Sequence, residues 1–152
     1  MNKDLTNQLY SRAAAYCSTA ERCRTEVVEK LKAWDKEGEA DASQIIERLE
    51  QEGFLDEQRY AQAFANDKMR FQGWGKLKIR AALAQKRLSS RAIHEALDGL
   101  DEEIYRQTLL KLAEKKRREL RKEPDKQVLR QKLSRFLAGR GFSLDEIQSV
   151  VR

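Results

Sequence analysis

The chain has 152 residues, 37% of them charged and 7% aromatic, with one proline, seven glycines and a formal net charge of +6. So lean an apolar complement spreads any core thinly over many amphipathic elements, and the shortage of breakers favours long helices. No apolar stretch is long enough to span a bilayer, and Met1-Asn2-Lys3-Asp4 lacks the apolar run of a signal peptide, so the expected location is the cytoplasm.

In chain order, Leu9, Ala13, Tyr16 and Cys17 recur at helical spacing, as do Val27, Val28, Leu31 and Trp34, and then Ile45, Ile46 and Leu49. Gly53 stands where a left-handed C-cap belongs, with Phe54 and Leu55 ready to close over the helix end. Asp56 then caps a helix carrying Tyr60, Ala61, Phe64 and Ala65. Gly73-Trp74-Gly75 breaks that helix, and Ile79 and Leu83 define the next. Ser89 or Ser90 caps a short helix with Ile93 and Leu97. A longer helix covers roughly Asp101 to Arg121, with Ile104, Leu109, Leu112 and Ala113 on its apolar face. Pro124 ends it or opens its successor, since proline suits a first helical turn. Val128, Leu129, Leu133 and Leu137 mark that successor, which Gly139-Arg140-Gly141 stops. Ser143-Leu144-Asp145-Glu146 is a capping box before a last helix with Ile147 and Val150. No strand pattern competes.

The helices come in threes. A middle helix with a central leucine (Leu31, Leu83, Leu133) precedes a turn and a short helix with its isoleucine (Ile45, Ile93, Ile147). Lys76 to Leu83 and Lys126 to Leu133 share the order Lys, aliphatic, Arg, Leu. The expected fold is all-α, an elongated, curved array of three tandem three-helix repeats spanning 1–58, 59–103 and 104–152.

Charge is sorted along that array. The three units carry net −5, +3 and +8, and eight Lys/Arg but no acid fall between Lys68 and His94. Segregation of this kind points to a polyanionic or acidic partner, against the plainer reading of solvated helix faces. The candidate contacts are Lys68, Arg70, Lys76, Lys78, Arg80, Lys86 and Arg87 around the central break, Lys115, Arg117, Arg118 and Arg121 on the long helix, and Arg140. Lys116 and Lys122 belong to the same run, which nearly rings its helix and so faces water or an acidic surface. Phe71 and Trp74 offer stacking faces beside the first cluster, although packing in the central core is the favoured expectation. Arg59, three residues after Asp56, is expected to pair with it locally.

Catalysis has little to stand on. His94 is the one histidine, no G-x-x-x-x-G-K-[ST] loop is present, and the acids of the first unit are spread over helix surfaces. Cys17 and Cys23 read as buried small hydrophobes. No enzyme activity, metal or cofactor is expected.

Glu52-Gly53-Phe54-Leu55-Asp56-Glu57-Gln58-Arg59-Tyr60-Ala61 resembles the G-[FY]-L-[DN]-[DE]-x-[RK]-[FY]-A signature of the RecX family, regulators of the bacterial RecA recombinase. Gly73-Trp74-Gly75-Lys76-Leu77-Lys78-Ile79 with Leu83 is similar to a second family element. Gln131-Lys132-Leu133 through Leu137, then Arg140-Gly141-Phe142, Ile147 and Val150 resemble its closing repeat, and Glu26-Val27 with Lys30-Leu31 its first. In that motif Gly53, Phe54, Leu55, Asp56, Arg59, Tyr60, Gly73 and Gly75 are fold residues first. The resemblance implies a three-repeat all-α chain lying in the groove of the RecA–DNA filament, and a monomer is expected. It also implies inhibition of that filament's ATP hydrolysis, strand exchange and co-protease activity, with DNA phosphate as a weak second partner. A stand-alone helical DNA-binding module and a scaffold for an unrelated acidic protein remain alternatives.

Overall fold

The computed structural model describes residues 1–151, which hold nine helices and no strand. In order they are α1 (Lys3–Thr19), α2 (Arg24–Trp34), α3 (Ala42–Gln51), α4 (Glu57–Gln72), α5 (Lys76–Gln85), α6 (Ser90–Asp98), α7 (Glu102–Glu119), α8 (Lys126–Gly139) and α9 (Leu144–Val150). Each repeat opens on a long helix of 17, 16 or 18 residues and closes on its shortest. None of these helices is long and apolar enough to cross a membrane.

Local sequence sets most of the boundaries. Asn2, Asp41, Asp56, Ser89, Asp101, Asp125 and Ser143 each accept a backbone N–H in the first turn of the helix they cap. At the other ends of α3, α5 and α8 the same turn recurs. The N–H groups of Phe54, Leu88 and Phe142 donate back to the carbonyls of Leu49, Leu83 and Leu137. The residue that turns the corner has positive φ each time: Gly53 at +80°, Gly141 at +98° and, between them, the non-glycine Arg87 at +64°.

The landmark leucines and isoleucines are all buried. Ile45, Ile93 and Ile147 each lie four residues after their cap, and Leu31, Leu83 and Leu133 eight after theirs. The repeats are not in one register throughout, however. α8 has 14 residues against the 10 of α5, so at the turn into the short helix the counterpart of Leu83 is Leu137, not Leu133. One inserted helical turn reconciles both matches. Pro124 neither ends α7 nor opens α8. α7 stops at Glu119 and winds through a tight turn at Leu120, while Asp125 caps α8, so the exposed proline lies just outside the helix.

The apolar faces assemble two cores. Leu9, Ala13, Val27, Leu31, Ile45 and Leu49 close one among α1–α3. A second core runs without interruption through α4–α9, from Tyr60 and Met69 through Leu83 and Leu109 to Leu137 and Phe142. Cys23, at the start of α2, plugs into this second core and so belongs to the seam. The chain exposes 9909 Å², well above the roughly 8,000 Å² of a compact monomer of its mass, as an extended array must.

Candidate interaction surface

Two joints hold the array, and each uses residues that look like site candidates in the sequence. At the first joint Arg59 does not pair its side chain with Asp56. That carboxylate accepts the Arg59 backbone N–H at 3.0 Å, while the guanidinium reaches across to Glu21 at 2.5 Å and donates to the Gly53 carbonyl at 3.0 Å. The Asp56 carboxylate is engaged as the helix cap by the Arg59 backbone N–H, and Glu21 makes its salt bridge with Arg59. The hydrogen bond that Arg59 donates to Glu21 holds its pKa above the usual value. Tyr60, four residues after the cap, is buried against Cys23 and Glu26 at the start of α2. Burial first, then the Cys23 and Glu26 charges, push its phenol far above its ordinary pKa.

The second joint repeats the device one unit along. Tyr105, also four residues after its cap, accepts the backbone N–H of Lys76 at 3.0 Å and donates to Glu146 at 3.1 Å. Burial and the neighbouring carboxylate raise its pKa despite the Lys76 N–H, which pulls the other way. Here the backbones themselves are bolted together. Gly75 N–H donates to the Arg140 carbonyl at 2.7 Å and Leu77 N–H to the Gly141 carbonyl at 3.0 Å. A Cβ on Gly75 would lie 2.4 Å from the Gly141 carbonyl, and one on Gly141 2.3 Å from the Lys78 Cβ. Neither glycine is merely a helix break, and sequence spacing alone carries no signal of their contact.

The twelve candidate cations divide accordingly. Lys76 lies over the Tyr105 ring at 4.8 Å and pairs with Glu102 at 3.2 Å. Lys68 and Lys78 flank Trp74 at 4.9 and 4.6 Å. Lys86 faces Glu26 at 3.8 Å across the first joint. Arg117 donates to the Val150 carbonyl, and Arg140 to that of Gln72 at 2.8 Å. These six brace the fold. Arg70, Arg80, Arg87, Lys115, Arg118 and Arg121 are exposed and make no salt bridge among the described residues. The run on α7 is therefore not uniformly free: Arg117 is tied down, and Lys116 lies over Phe136 at 4.9 Å. Arg87 borders a cleft of about 230 Å³ at the first joint. Arg22, Arg24 and Lys86 there stand among Glu50, Asp56 and Glu57, so the cleft has little uncompensated charge.

The two aromatic candidates part company. Trp74 packs on the core, edge-on to Phe64 at 6.3 Å. Phe71 does not pack; it is 80% exposed. Phe71 repeats the phase of Phe64 seven residues on, but the left-handed turn at Gly73 brings Trp74 back over that ring and takes the place. His94 is exposed and lies 3.1 Å from Asp98. Cys17 and Cys23 are buried free thiols, and burial raises the Cys17 pKa.

With this geometry fixed, comparison with known proteins is direct. Family models of the second and third three-helix domains of RecX match residues 56–97 and 103–151. A regulatory protein RecX from Clostridium botulinum is 39% identical over 156 aligned residues, covering 99% of this chain and 70% of its own length. The chain belongs to the RecX family. The regulatory protein RecX of a second Clostridium botulinum strain is 38% identical over 80% of this chain, and the chain spans 56% of that relative's length. The crystal structure of RecX from Lactobacillus salivarius has the same fold, with a TM-score of 0.87 at 24% identity, covering 99% of this chain and 96% of that one. The matched domain boundaries fall beside the caps Asp56 and Asp101, so the RecX domain unit begins where the two inter-repeat joints are made.

Proposed function

We propose that this RecX-family chain acts, without catalysis of its own, as a cytoplasmic inhibitor of the RecA recombinase filament. It would lie as a monomer in the filament groove and restrain ATP hydrolysis, strand exchange and co-protease activity, and through them DNA repair and the SOS response. Family membership, resting on the two matched domains and the relatives named regulatory protein RecX, is the observation that carries this reading. The exposed cations Arg70, Arg80, Lys115, Arg118 and Arg121 support it, because they remain available for phosphate or carboxylate after the fold has used its share. In this reading the units 59–103 and 104–152 face DNA and acidic protein, and the acidic unit 1–58 makes a separate contact. A helix–turn–helix reader is less favoured, since Arg91 on α6 is paired with Glu95 and α9 opens on Asp145 and Glu146.

The test is RecA ATPase on single-stranded DNA titrated with the purified protein. Suppression at substoichiometric protein is the expected result. Full ATPase at stoichiometric protein would remove the reading.

A further inference from the structure

The outer side of α8 holds cations that charge sorting alone does not single out. From Lys126 to Leu144 the chain contains no acidic residue. Gln127, Arg130, Gln131, Ser134 and Arg135 line one shallow, open trough along the helix. At 100° per residue they fall within roughly 140° of arc. Leu133 and Leu137, 1% and 0% exposed, pin into the core a flank of the helix roughly 110° round from the middle of this face, while Gln127, Arg130, Gln131 and Arg135 stay exposed. Among the described residues neither arginine makes a salt bridge, and the Arg130 side chain spends only a 3.4 Å hydrogen bond on the Lys126 carbonyl. Lys132, by contrast, lies outside the trough and pairs with Glu123 at 3.1 Å.

Two planar guanidinium groups among neutral hydrogen-bonding side chains match phosphate oxygens in both charge and geometry. Arg130 and Arg135 are about 7.5 Å apart along the helix axis, close to two base steps of a duplex. The face carries no apolar anchor of the kind that centres a protein interface. It also lacks an aromatic platform: Phe136, the nearest ring, is half-buried beneath Lys116 and Arg140. Single strands are held largely by stacking, whereas a duplex is held by its backbone. The short helices do not compete for the duplex. The α6 cap Ser89 is already bonded to Glu57, and α9 presents Asp145 and Glu146 in its first turn, where phosphate would be repelled.

We propose that the outer face of α8 is a contact surface for the phosphate backbone of duplex DNA, built on Arg130 and Arg135 with Gln127, Gln131 and Ser134 around them. It deepens the DNA half of the function above and rests on that reading for its setting in the filament, yet its test needs no recombinase. Fluorescence anisotropy on a labelled duplex of about 20 base pairs, at several salt concentrations, compares the wild-type protein with Arg130→Glu/Arg135→Glu and Arg130→Gln/Arg135→Gln. The charge reversal is expected to weaken duplex binding about tenfold or more and flatten the log affinity against log salt slope by roughly two, with the glutamine pair between. Circular dichroism and the melting temperature should not move, because the replaced side chains are exposed.

Unchanged duplex affinity and slope in the reversed variant would overturn the assignment. Tighter binding by the wild-type protein to a single strand of the same length would overturn the choice of duplex. If duplex binding is intact but restraint of the RecA ATPase is lost, the face meets acidic protein and the proposal is wrong. Loss of duplex binding by the variant, in a protein whose wild type leaves RecA untouched, would uphold this surface and remove only the filament reading.

Discussion

The first three helices and the remaining six spend their cations differently. In α1–α3 the arginines lie on the unit's own rings: Arg12 over Trp34 at 4.2 Å, Arg22 over Tyr16 at 4.0 Å and Arg48 over Tyr10 at 3.8 Å. Lys30 shares Tyr16, and Arg24 is paired with Glu50. Half of this unit's eight lysines and arginines are thereby committed to half-buried aromatics, on a unit whose net charge is already acidic. In α4–α9 half of the candidate cations are engaged by the fold, while Arg70, Arg80, Arg87, Lys115, Arg118 and Arg121 stay exposed. The two regions differ in core as well. One holds a closed core of its own, and the other shares a single core across two repeats. Charge sorting in the sequence thus understates the contrast at the surface, which sets an acidic end with its own core against a basic body with free guanidinium groups.

The joint between the second and third repeats should be the most sensitive place to break that contrast. Gly75 has an ordinary φ of −79°, so Gly75→Ala meets no backbone strain of its own and clashes with the backbone of Gly141 and Phe142. It is expected to cost about 4 kcal/mol, read from urea melts. Leu83→Ala and Leu31→Ala should each cost about 3 kcal/mol. Their reach should differ, with native-state hydrogen exchange accelerated throughout α4–α9 by the first and mainly in α1–α3 by the second. Equal spread from both would show that the two cores are one cooperative unit.

The buried phenols give a pH signature. Their folded pKa values lie above the unfolded value near 10, so N binds more protons than U at alkaline pH. Stability is full below about pH 10 and falls above it, by up to about 1.4 kcal/mol per pH unit for each of Tyr60 and Tyr105. Tyr105→Phe should remove one share of that slope, measurable by denaturation at stepped pH. The smallest effect belongs to the first joint. Arg59→Gln loses a part-exposed ion pair and should cost about 1 kcal/mol or less, while loosening the exchange of residues near Glu21 more than those in α8.

Much of this was legible because it is local. The Gly53 turn and the Asp56 cap lie within a few residues of one another, so sequence alone specifies them, as it does the capping box at Ser143. The helix faces followed from periodicity for the same reason. The Arg59–Glu21 bridge and the Gly75–Gly141 bolt were not legible, since each joins residues dozens of positions apart and depends on how repeats dock. Tyr105 went unnoticed because a tyrosine four residues into a helix reads alike whether it covers a core or bonds a neighbouring helix start. Phe71 was misplaced because helical phase cannot foresee that a left-handed glycine will return Trp74 to the same ring. The basic residues read as one class for a similar reason: composition counts charge, and only packing shows which charges are already engaged.

That division of the cations is tested most directly by the RecA ATPase on single-stranded DNA, with the wild-type protein beside an Arg80→Glu/Lys115→Glu/Arg118→Glu/Arg121→Glu variant. The exposed positions predict a variant that melts like the wild type and has lost most of its restraint on the ATPase. A folded variant that restrains the ATPase as strongly as the wild type would contradict the account.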